Sequence, residues 1–203
     1  MKNNFFRALV LLTCGALASC SGFMGVNLTN QKSVDDNLRK FIEKEIDPQA
    51  EILQIRMMTI SDFSKTIDIA NVYYFPVGET EIAGLTVSLT ATGADNRKAH
   101  VYPDVAKRKP GTGIKLADAD FSRIAANLAD AATQMKEEDY NFDGIDSYEI
   151  NFFSDPAETV HEFTLESKAN TEMATRNGRA VMQTNYYTFK FTADNEGNVV
   201  FQE

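Results

Sequence analysis

Acidic and amide side chains recur at every second position in one short segment of the chain. Asp139, Asn141 and Asp143 stand at positions one, three and five of this segment, and Gly144 follows at position six. Oxygen atoms at this spacing can surround one cation while the glycine lets the loop turn sharply, as calcium loops require. Ser147 falls at position nine, where its hydroxyl would act through a water molecule. The pattern makes Ca²⁺ a candidate ligand of Asp139, Asn141, Asp143 and Ser147.

A simpler interpretation of the same segment needs no metal. The twelfth position of an EF-hand carries a bidentate glutamate, whereas this chain has Ile150 there and Glu149 one residue early. Asp143-Gly144 is also a common turn pair, and it would connect a helix to the strand that follows. We favour this interpretation and expect no cofactor. A calcium-stabilised binding module is the alternative.

The other reactive side chains form no recognised catalytic pattern. His161 alternates with Phe163 and Leu165, which predicts a histidine at the rim of a hydrophobic core. The chain has no Gly-x-Ser-x-Gly elbow, no phosphate-binding loop and no His-Glu-x-x-His pair. We therefore expect no enzymatic activity.

The first twenty residues have the layout of a secretory signal. Lys2 and Arg7 make a short cationic start, an apolar run follows over residues 8–16, and Leu17-Ala18-Ser19-Cys20 ends the segment. This order of charged, apolar and small residues is typical of exported proteins. The apolar run is too short for a membrane span, which needs about 20 residues.

Leu17-Ala18-Ser19-Cys20 resembles the lipobox of bacterial lipoproteins. The resemblance implies that residues 1–19 are a lipoprotein signal peptide and that fatty acids such as palmitate become attached to Cys20. Several acyl chains, each methylene contributing about 0.8 kcal/mol on burial, anchor a protein durably in the bilayer. In this family an aspartate after the cysteine favours inner-membrane retention, so Ser21 resembles an outer-membrane address. We expect the body to face the periplasm, with the cell surface as the alternative.

The mature chain is strongly acidic and has no pair of cysteines. Residues 1–19 contain Lys2 and Arg7 but no acid, so 18 basic and 29 acidic side chains remain, a net charge of −11. Such a chain repels nucleic acid and anionic lipid headgroups. Cys14 leaves with the signal peptide, and Cys20 then has no disulfide partner. A disulfide-stapled fold and cysteine-based chemistry are therefore excluded.

The mature chain shows the same order of elements twice, which predicts an α+β fold of two tandem modules. Each module would consist of one helix packed on a four-stranded antiparallel sheet. Residues 20–32 are polar and small and predict a tether, and a Lys/Pro/Gly-rich linker is expected over 105–115. The first module would span residues 33–104 and the second residues 116–203.

Periodicity and one internal offset support this duplication. Apolar residues at helical spacing open each half, and alternating apolar residues follow. Ser61-Asp62 lies 93 residues before Ser154-Asp155, and the same offset maps Met57 to Ile150. In element order alone, the arrangement is similar to the tandem modules of PepSY-like proteins and of beta-lactamase inhibitor proteins.

These observations predict a lipid-anchored accessory protein that binds another envelope protein or a peptide, because sheet edges can accept an added strand. Tyr73-Tyr74 and Tyr186-Tyr187 place aromatic rings on both faces of a strand. One ring of each pair is expected in the core, which leaves Tyr74 and Tyr186 as candidates for a contact surface. The alternative is an envelope hydrolase whose acidic catalytic residues are dispersed through the fold.

Overall fold

A computed structural model describes residues 25–90, 97–176 and 179–202 of the chain. Its strands form one large antiparallel sheet and one short ladder. In chain order the strands are β1 (Val26–Asn27), β2 (Glu51–Met58), β3 (Thr66–Ile67), β4 (Ile69–Phe75), β5 (Ala83–Ser88), β6 (Arg97–Lys98), β7 (Ile114–Lys115), β8 (Gly144–Asn151), β9 (Val160–Arg176), β10 (Arg179–Asp194) and β11 (Val199–Gln202).

Two helical segments pack on one face of the large sheet. The N-terminal segment runs without a break through α1 (Gln31–Ser33), a π-helical turn (Val34–Leu38) and α2 (Arg39–Glu43). Asn30 caps it, since its side chain accepts a hydrogen bond from the Ser33 N–H. The second segment is α3 (Ile124–Glu137). None of the helices in the described part of the chain has the length and apolar character needed to cross a bilayer.

The large sheet has the strand order β11-β10-β9-β8-β2-β4-β5-β6, with β7 also paired to β2. Each half is an antiparallel meander, and the two meanders meet through their first strands, β2 and β8. At this junction Arg56 lies directly opposite Glu149. These two positions are 93 residues apart, the offset that relates Ser61-Asp62 to Ser154-Asp155 in the sequence. The duplication itself stays a prediction.

The predicted α+β fold of two tandem helix-on-sheet modules is wrong. The described part of the chain is mostly β, with more residues in strands than in helices. Its two meanders share one continuous sheet instead of forming two four-stranded sheets. Pairing β2 with β8 leaves neither of these two largely buried strands with an open edge, which is the physical reason for joining them. Residue alternation indicates the two faces of a strand but not which strand lies beside it.

One hydrophobic core lies between the helices and the sheet, and both halves of the chain contribute to it. We call this side of the sheet the helix-covered face and the opposite side the polar face. Core side chains from the helices and from the sheet include Val34, Leu38, Ile42, Leu128, Met135, Ile55, Met57, Tyr148, Ile150 and Phe163. The polar face holds a smaller cluster made of Leu53, Tyr73, Phe75 and Val105.

The predicted tether over residues 20–32 is too long. Val26 and Asn27 pair with Ile67 and Thr66 as a short ladder, and the side chains of Val26 and Leu28 are fully buried. Burial of these apolar groups fixes the second half of the expected tether to the body. The folded part therefore begins by Val26, and residues 20–24 lie outside the described residues.

The predicted linker over residues 105–115 is also part of the folded body. Val105 is buried, and Ile114 pairs with Ile52 of β2. Arg108 donates hydrogen bonds to the carbonyl oxygens of Leu53 and Phe152, next to the register shift in β2. Burial lowers the pKa of the Arg108 guanidinium. Lys107-Arg108-Lys109 is therefore not a purely solvated basic run, because Arg108 is a hydrogen-bond donor to backbone carbonyl groups of the folded body.

β9 and β10 extend beyond the rest of the sheet. β8 follows β9 only as far as the pair Gly144↔Glu166, whereas the ladder of β9 with β10 continues to Arg176↔Arg179. We call this projecting two-stranded part, residues 167–176 and 179–187, the ribbon.

Candidate functional site

A groove of about 530 Å³ lies on the helix-covered face, between the end of α3 and the last two strands of the sheet. Its walls are mainly aromatic, and its charged lining residues are both acidic. The lining consists of Gln134, Met135, Glu137, Glu138, Tyr140, Phe189, Phe191 and Phe201. Its volume falls in the range of sites that hold a small ligand or one large side chain.

The end of α3 places one wall of this groove. Asp139 has a left-handed backbone with φ of 63°, and the Tyr140 N–H donates to the carbonyl oxygen of Met135 at 2.9 Å. This turn directs Tyr140 back onto the sheet, where its ring centroid lies 4.7 Å from that of Phe189. The turn at the end of α3 therefore also forms part of the groove, because it places Tyr140 against Phe189.

The last strand places the other wall. Phe201 lies opposite Phe191 in the β10–β11 ladder, and their ring centroids are 5.5 Å apart. Phe201 is 45% exposed, so its ring is both part of the groove and accessible from solvent. Among the described strands, β11 pairs with β10 alone. Its outer side therefore presents backbone donors and acceptors next to the groove.

A cluster of polar side chains lies at the centre of the polar face, where the two meanders meet. Glu149 Oε1 accepts from Gln54 Nε2 at 2.9 Å and from Asn151 Nδ2 at 3.0 Å. Asn151 Nδ2 also lies 3.4 Å from Glu162 Oε1. Arg56 Nε is 3.9 Å from the second oxygen of Glu149. Two carboxylates on neighbouring strands thus share one amide group.

This acid pair has one property of a catalytic site. Burial raises the pKa of the Glu149 carboxyl, and the neighbouring charge of Glu162 raises it further. A carboxyl of this kind can hold a proton more readily than an ordinary one. Glu162, however, is exposed on the flat side of the sheet, where the cluster offers no enclosing walls to hold a substrate.

A third polar group is buried inside the main core. Tyr148 Oη lies 2.9 Å from His161 Nδ1 and accepts a hydrogen bond from Asn127 Nδ2 at 3.1 Å. All three side chains are buried, and Asn127 Oδ1 has no hydrogen-bond partner among the described residues. The network ties α3 to two strands and has no route to solvent, so we assign it a structural role.

His161 is expected to make the protein less stable in mild acid. Burial lowers the pKa of its imidazole to about 4, although Asp120 and Asp194 oppose this effect and Arg123 adds to it. The unfolded chain binds this proton near pH 6.5, so the free energy of unfolding falls as the pH drops from about 6.5 to 4. The loss attributable to this histidine is about 3 kcal/mol.

Urea unfolding at several pH values measures this loss. His161→Gln is the control, because it removes the titrating group while keeping a polar partner for Tyr148. The raised pKa values of Glu149 and Glu166 have the opposite effect on the free energy of unfolding, which they increase as the pH falls. The wild type and His161→Gln are therefore compared at each pH, so that this contribution cancels. Equal pH dependence in the wild type and in His161→Gln would contradict the assignment.

The structure does not show the predicted calcium ligands around one centre. Asp143 Oδ2 accepts from the Lys168 N–H at 2.8 Å, and Ser147 lies within β8 with its hydroxyl 3.3 Å from Asp146. Asp139 and Asn141 are exposed. Across the described ranges, no three His, Cys, Asp or Glu side chains lie close enough together to hold a metal ion. The calcium site stays an alternative to the metal-free turn, which we favour.

The two predicted contact tyrosines lie in different surroundings. Tyr74 is partly buried and packs against the main core. Tyr186 is 51% exposed at the base of the ribbon, where its ring contacts that of Phe63 with the centroids 5.7 Å apart. Cys20, the predicted lipid attachment point, lies outside the described residues.

Sequence reasoning missed the groove because its parts are distant along the chain. Tyr140 follows a helix and Phe201 lies 61 residues later, near the end of the chain, so no local pattern places one beside the other. The available signal was the aromatic alternation of Phe189, Phe191 and Phe201, which exceeds what one buried face near the end of the chain needs.

No known protein-family model matches this chain, and neither a curated protein nor a solved structure matches it. The resemblances to bacterial lipoproteins and to tandem PepSY-like or inhibitor modules therefore stay predictions. Its function is inferred from its own residues.

Proposed function

We propose that this protein is a lipid-anchored envelope protein that binds an extended segment of another envelope protein along β11. Its anchor is the acylated Cys20, and its address is the outer membrane, with the body facing the periplasm or, as the alternative, the cell surface. The observation that carries the binding function is the open β11 edge directly beside the aromatic groove. The proposal includes no catalytic activity and no bound cofactor.

The backbone of β11 would supply the affinity. An added strand completes the hydrogen bonds that an edge leaves open, and it does so for any sequence. Because β11 has only four residues, the ladder alone gives a short contact. Specificity and further affinity must then come from a side chain placed in the groove.

The groove selects the chemistry of that side chain. Tyr140, Phe189 and Phe201 offer aromatic walls, which suit a large apolar or aromatic side chain. Glu137 and Glu138 line the same groove, so a lysine or arginine beside the apolar residue is favoured. The expected partner segment is therefore extended, carries a large apolar residue and is locally basic.

The alternative of an envelope hydrolase has one supporting observation, the acid pair of Glu149 and Glu162. Retaining and inverting hydrolases hold two carboxyl groups on either side of an enclosed bond. Here the pair lies across two strands of the flat polar face, away from the aromatic groove. Binding therefore accounts for more of the surface than hydrolysis does.

Photo-crosslinking in intact cells tests the binding site. A photoreactive amino acid placed at Glu138 samples the groove, and the crosslinked segment is identified by mass spectrometry. We expect a partner segment with an apolar residue next to a basic one. Phe201→Ala, which removes one wall, should lower the yield about tenfold, as expected for the loss of an aromatic anchor.

Val200→Ala is the matched control for this experiment. Val200 is the neighbour of Phe201 on the same strand and is 54% exposed. It lies opposite Thr192 in the ladder, so its side chain is on the face of the sheet away from the groove. The crosslinking yield should stay near that of the wild type. An equal loss in both variants, or a crosslink insensitive to both, would place the partner elsewhere.

A further inference from the structure

The ribbon differs in charge from the rest of the protein. Its sequence contains Lys168, Glu172, Arg176 and Arg179, a net charge of +2. The mature chain as a whole carries −11, so the ribbon is a local exception in an acidic molecule. Arg176 and Arg179 lie directly opposite each other at the far end of the ladder. An acidic body with one basic projection favours an anionic surface at that projection alone.

The ribbon also exposes apolar side chains. Met173 and Met182 are opposite each other in the ladder and are 74% and 68% exposed. At its base Tyr186 and Tyr187 are each 51% exposed. By the register of the ladder, Met173, Met182 and Tyr186 fall on one face of the ribbon, and Lys168 lies opposite Tyr186 at the base of that face. Exposed apolar and aromatic residues next to a lysine suit a membrane interface.

The position of the N-terminus gives the ribbon its target. A side chain at Gly25 would lie within 3.3 Å of atoms of Thr66, Ile67 and Asp68. These residues lie just before β4, at the end of the sheet where β2 ends. Phe63, in the same connection between β2 and β4, packs against Lys168 of the ribbon, with its ring centroid 4.7 Å from the lysine Nζ. The chain that carries Cys20 therefore joins the body at the end of the sheet from which the ribbon projects.

The extended length of residues 20–24 can be compared with the length of the ribbon. Residues 20–24 extend at most about 17 Å from Gly25, at roughly 3.3 Å per residue. The ribbon continues for ten residues beyond Glu166 on β9, which is about 33 Å at the same rise. Because the ribbon is longer than this tether and projects from the same end of the sheet, it is long enough to reach the surface to which Cys20 would be fixed.

We propose that the ribbon rests on the anionic lipid headgroups of the bilayer that holds Cys20. Met173 and Met182 enter the boundary between headgroups and acyl chains, and the net positive charge of the ribbon favours its approach to the lipid phosphates. This inference rests on the lipid anchor of the proposed function but not on peptide binding at β11. The contact would fix the orientation of the body and hold the β11 edge at a set distance from the membrane.

A fluorescent reporter on the ribbon tests this contact. Lipidated full-length protein carrying Met182→Cys has a single free thiol, because Cys14 is removed and the thiol of Cys20 is blocked. The thiol is labelled with a polarity-sensitive dye, and the protein is reconstituted into vesicles of phosphatidylethanolamine with phosphatidylglycerol. We expect a blue-shifted emission that lipid-borne quenchers reduce. Vesicles of phosphatidylcholine alone should give a much smaller shift.

Two further variants interpret the result. Val77→Cys carries the same dye at an exposed turn after β4, at the opposite end of the sheet, and its emission should stay that of a dye in water. Adding Arg176→Glu and Arg179→Glu to Met182→Cys should remove the blue shift. An unshifted, unquenched Met182→Cys dye on vesicle-bound protein would overturn the proposal, as would a shift that requires an added protein. Failure of the protein to enter vesicles would instead refute the lipid anchor.

Discussion

Replacing Cys20 by alanine is expected to abolish lipidation of the protein and with it the proposed anchor. The acyl chains on this residue are the proposed anchor, and no helix in the described part of the chain is suited to span a bilayer. A ribbon contact alone binds reversibly, since stable attachment needs more than one signal. The variant should either stall with residues 1–19 attached or appear as a soluble form.

Metabolic labelling with a fatty acid measures this outcome. The wild-type protein should take up the label, and Cys20→Ala should not. Cys14→Ala is the control, because this residue lies inside the predicted signal peptide, residues 1–19, and it should leave labelling unchanged. A wild-type protein without label would end the lipoprotein interpretation.

Gly144→Ala is expected to destabilise the fold by about 3 kcal/mol or more, because it adds volume at a closed backbone contact. A Cβ atom at this position would lie 2.4 Å from Phe63 Cα. The Phe63 loop cannot easily move away. Its N–H donates to Glu166 Oε2 at 2.9 Å, and the Ser64 carbonyl accepts from the Ile145 N–H at 2.8 Å.

Urea unfolding compares this variant with Gly78→Ala. Gly78 has a left-handed φ of 82° and no atom within 4 Å of an added Cβ, so its replacement should cost only about 1–2 kcal/mol. A Gly144→Ala variant no less stable than Gly78→Ala would show that the loop can yield. The structure also corrects the expected role of Gly144, which is needed for close approach of another loop and not for a left-handed turn.

Local patterns in the sequence indicated several elements correctly. Alternation around Met57 and Ile150 marks β2 and β8, since one face of each strand meets the core. The apolar stripe that includes Leu128 and Met135 marks α3. Such patterns depend on neighbouring residues alone, and that is why they could be read without a structure.

The features that the sequence did not predict depend on residue pairs that are distant along the chain. The joining of β2 to β8 rests on contacts such as Arg56 with Glu149, which no local period encodes. The ribbon was missed because the stretch from Lys168 to Tyr186 has no apolar alternation that would indicate a strand. The remaining signal was Asn177-Gly178, the pair most typical of a two-residue hairpin turn.

The most direct test of partner binding at β11 is amide hydrogen exchange on that strand. The protein is measured alone and with a synthetic peptide of the segment identified by crosslinking at Glu138. Backbone amides of residues 199–202 that face away from β10 should become protected, while those of β5 and β6 at the other edge should not change. Binding of the peptide with no added protection in β11, or with protection at β6 instead, would contradict the account.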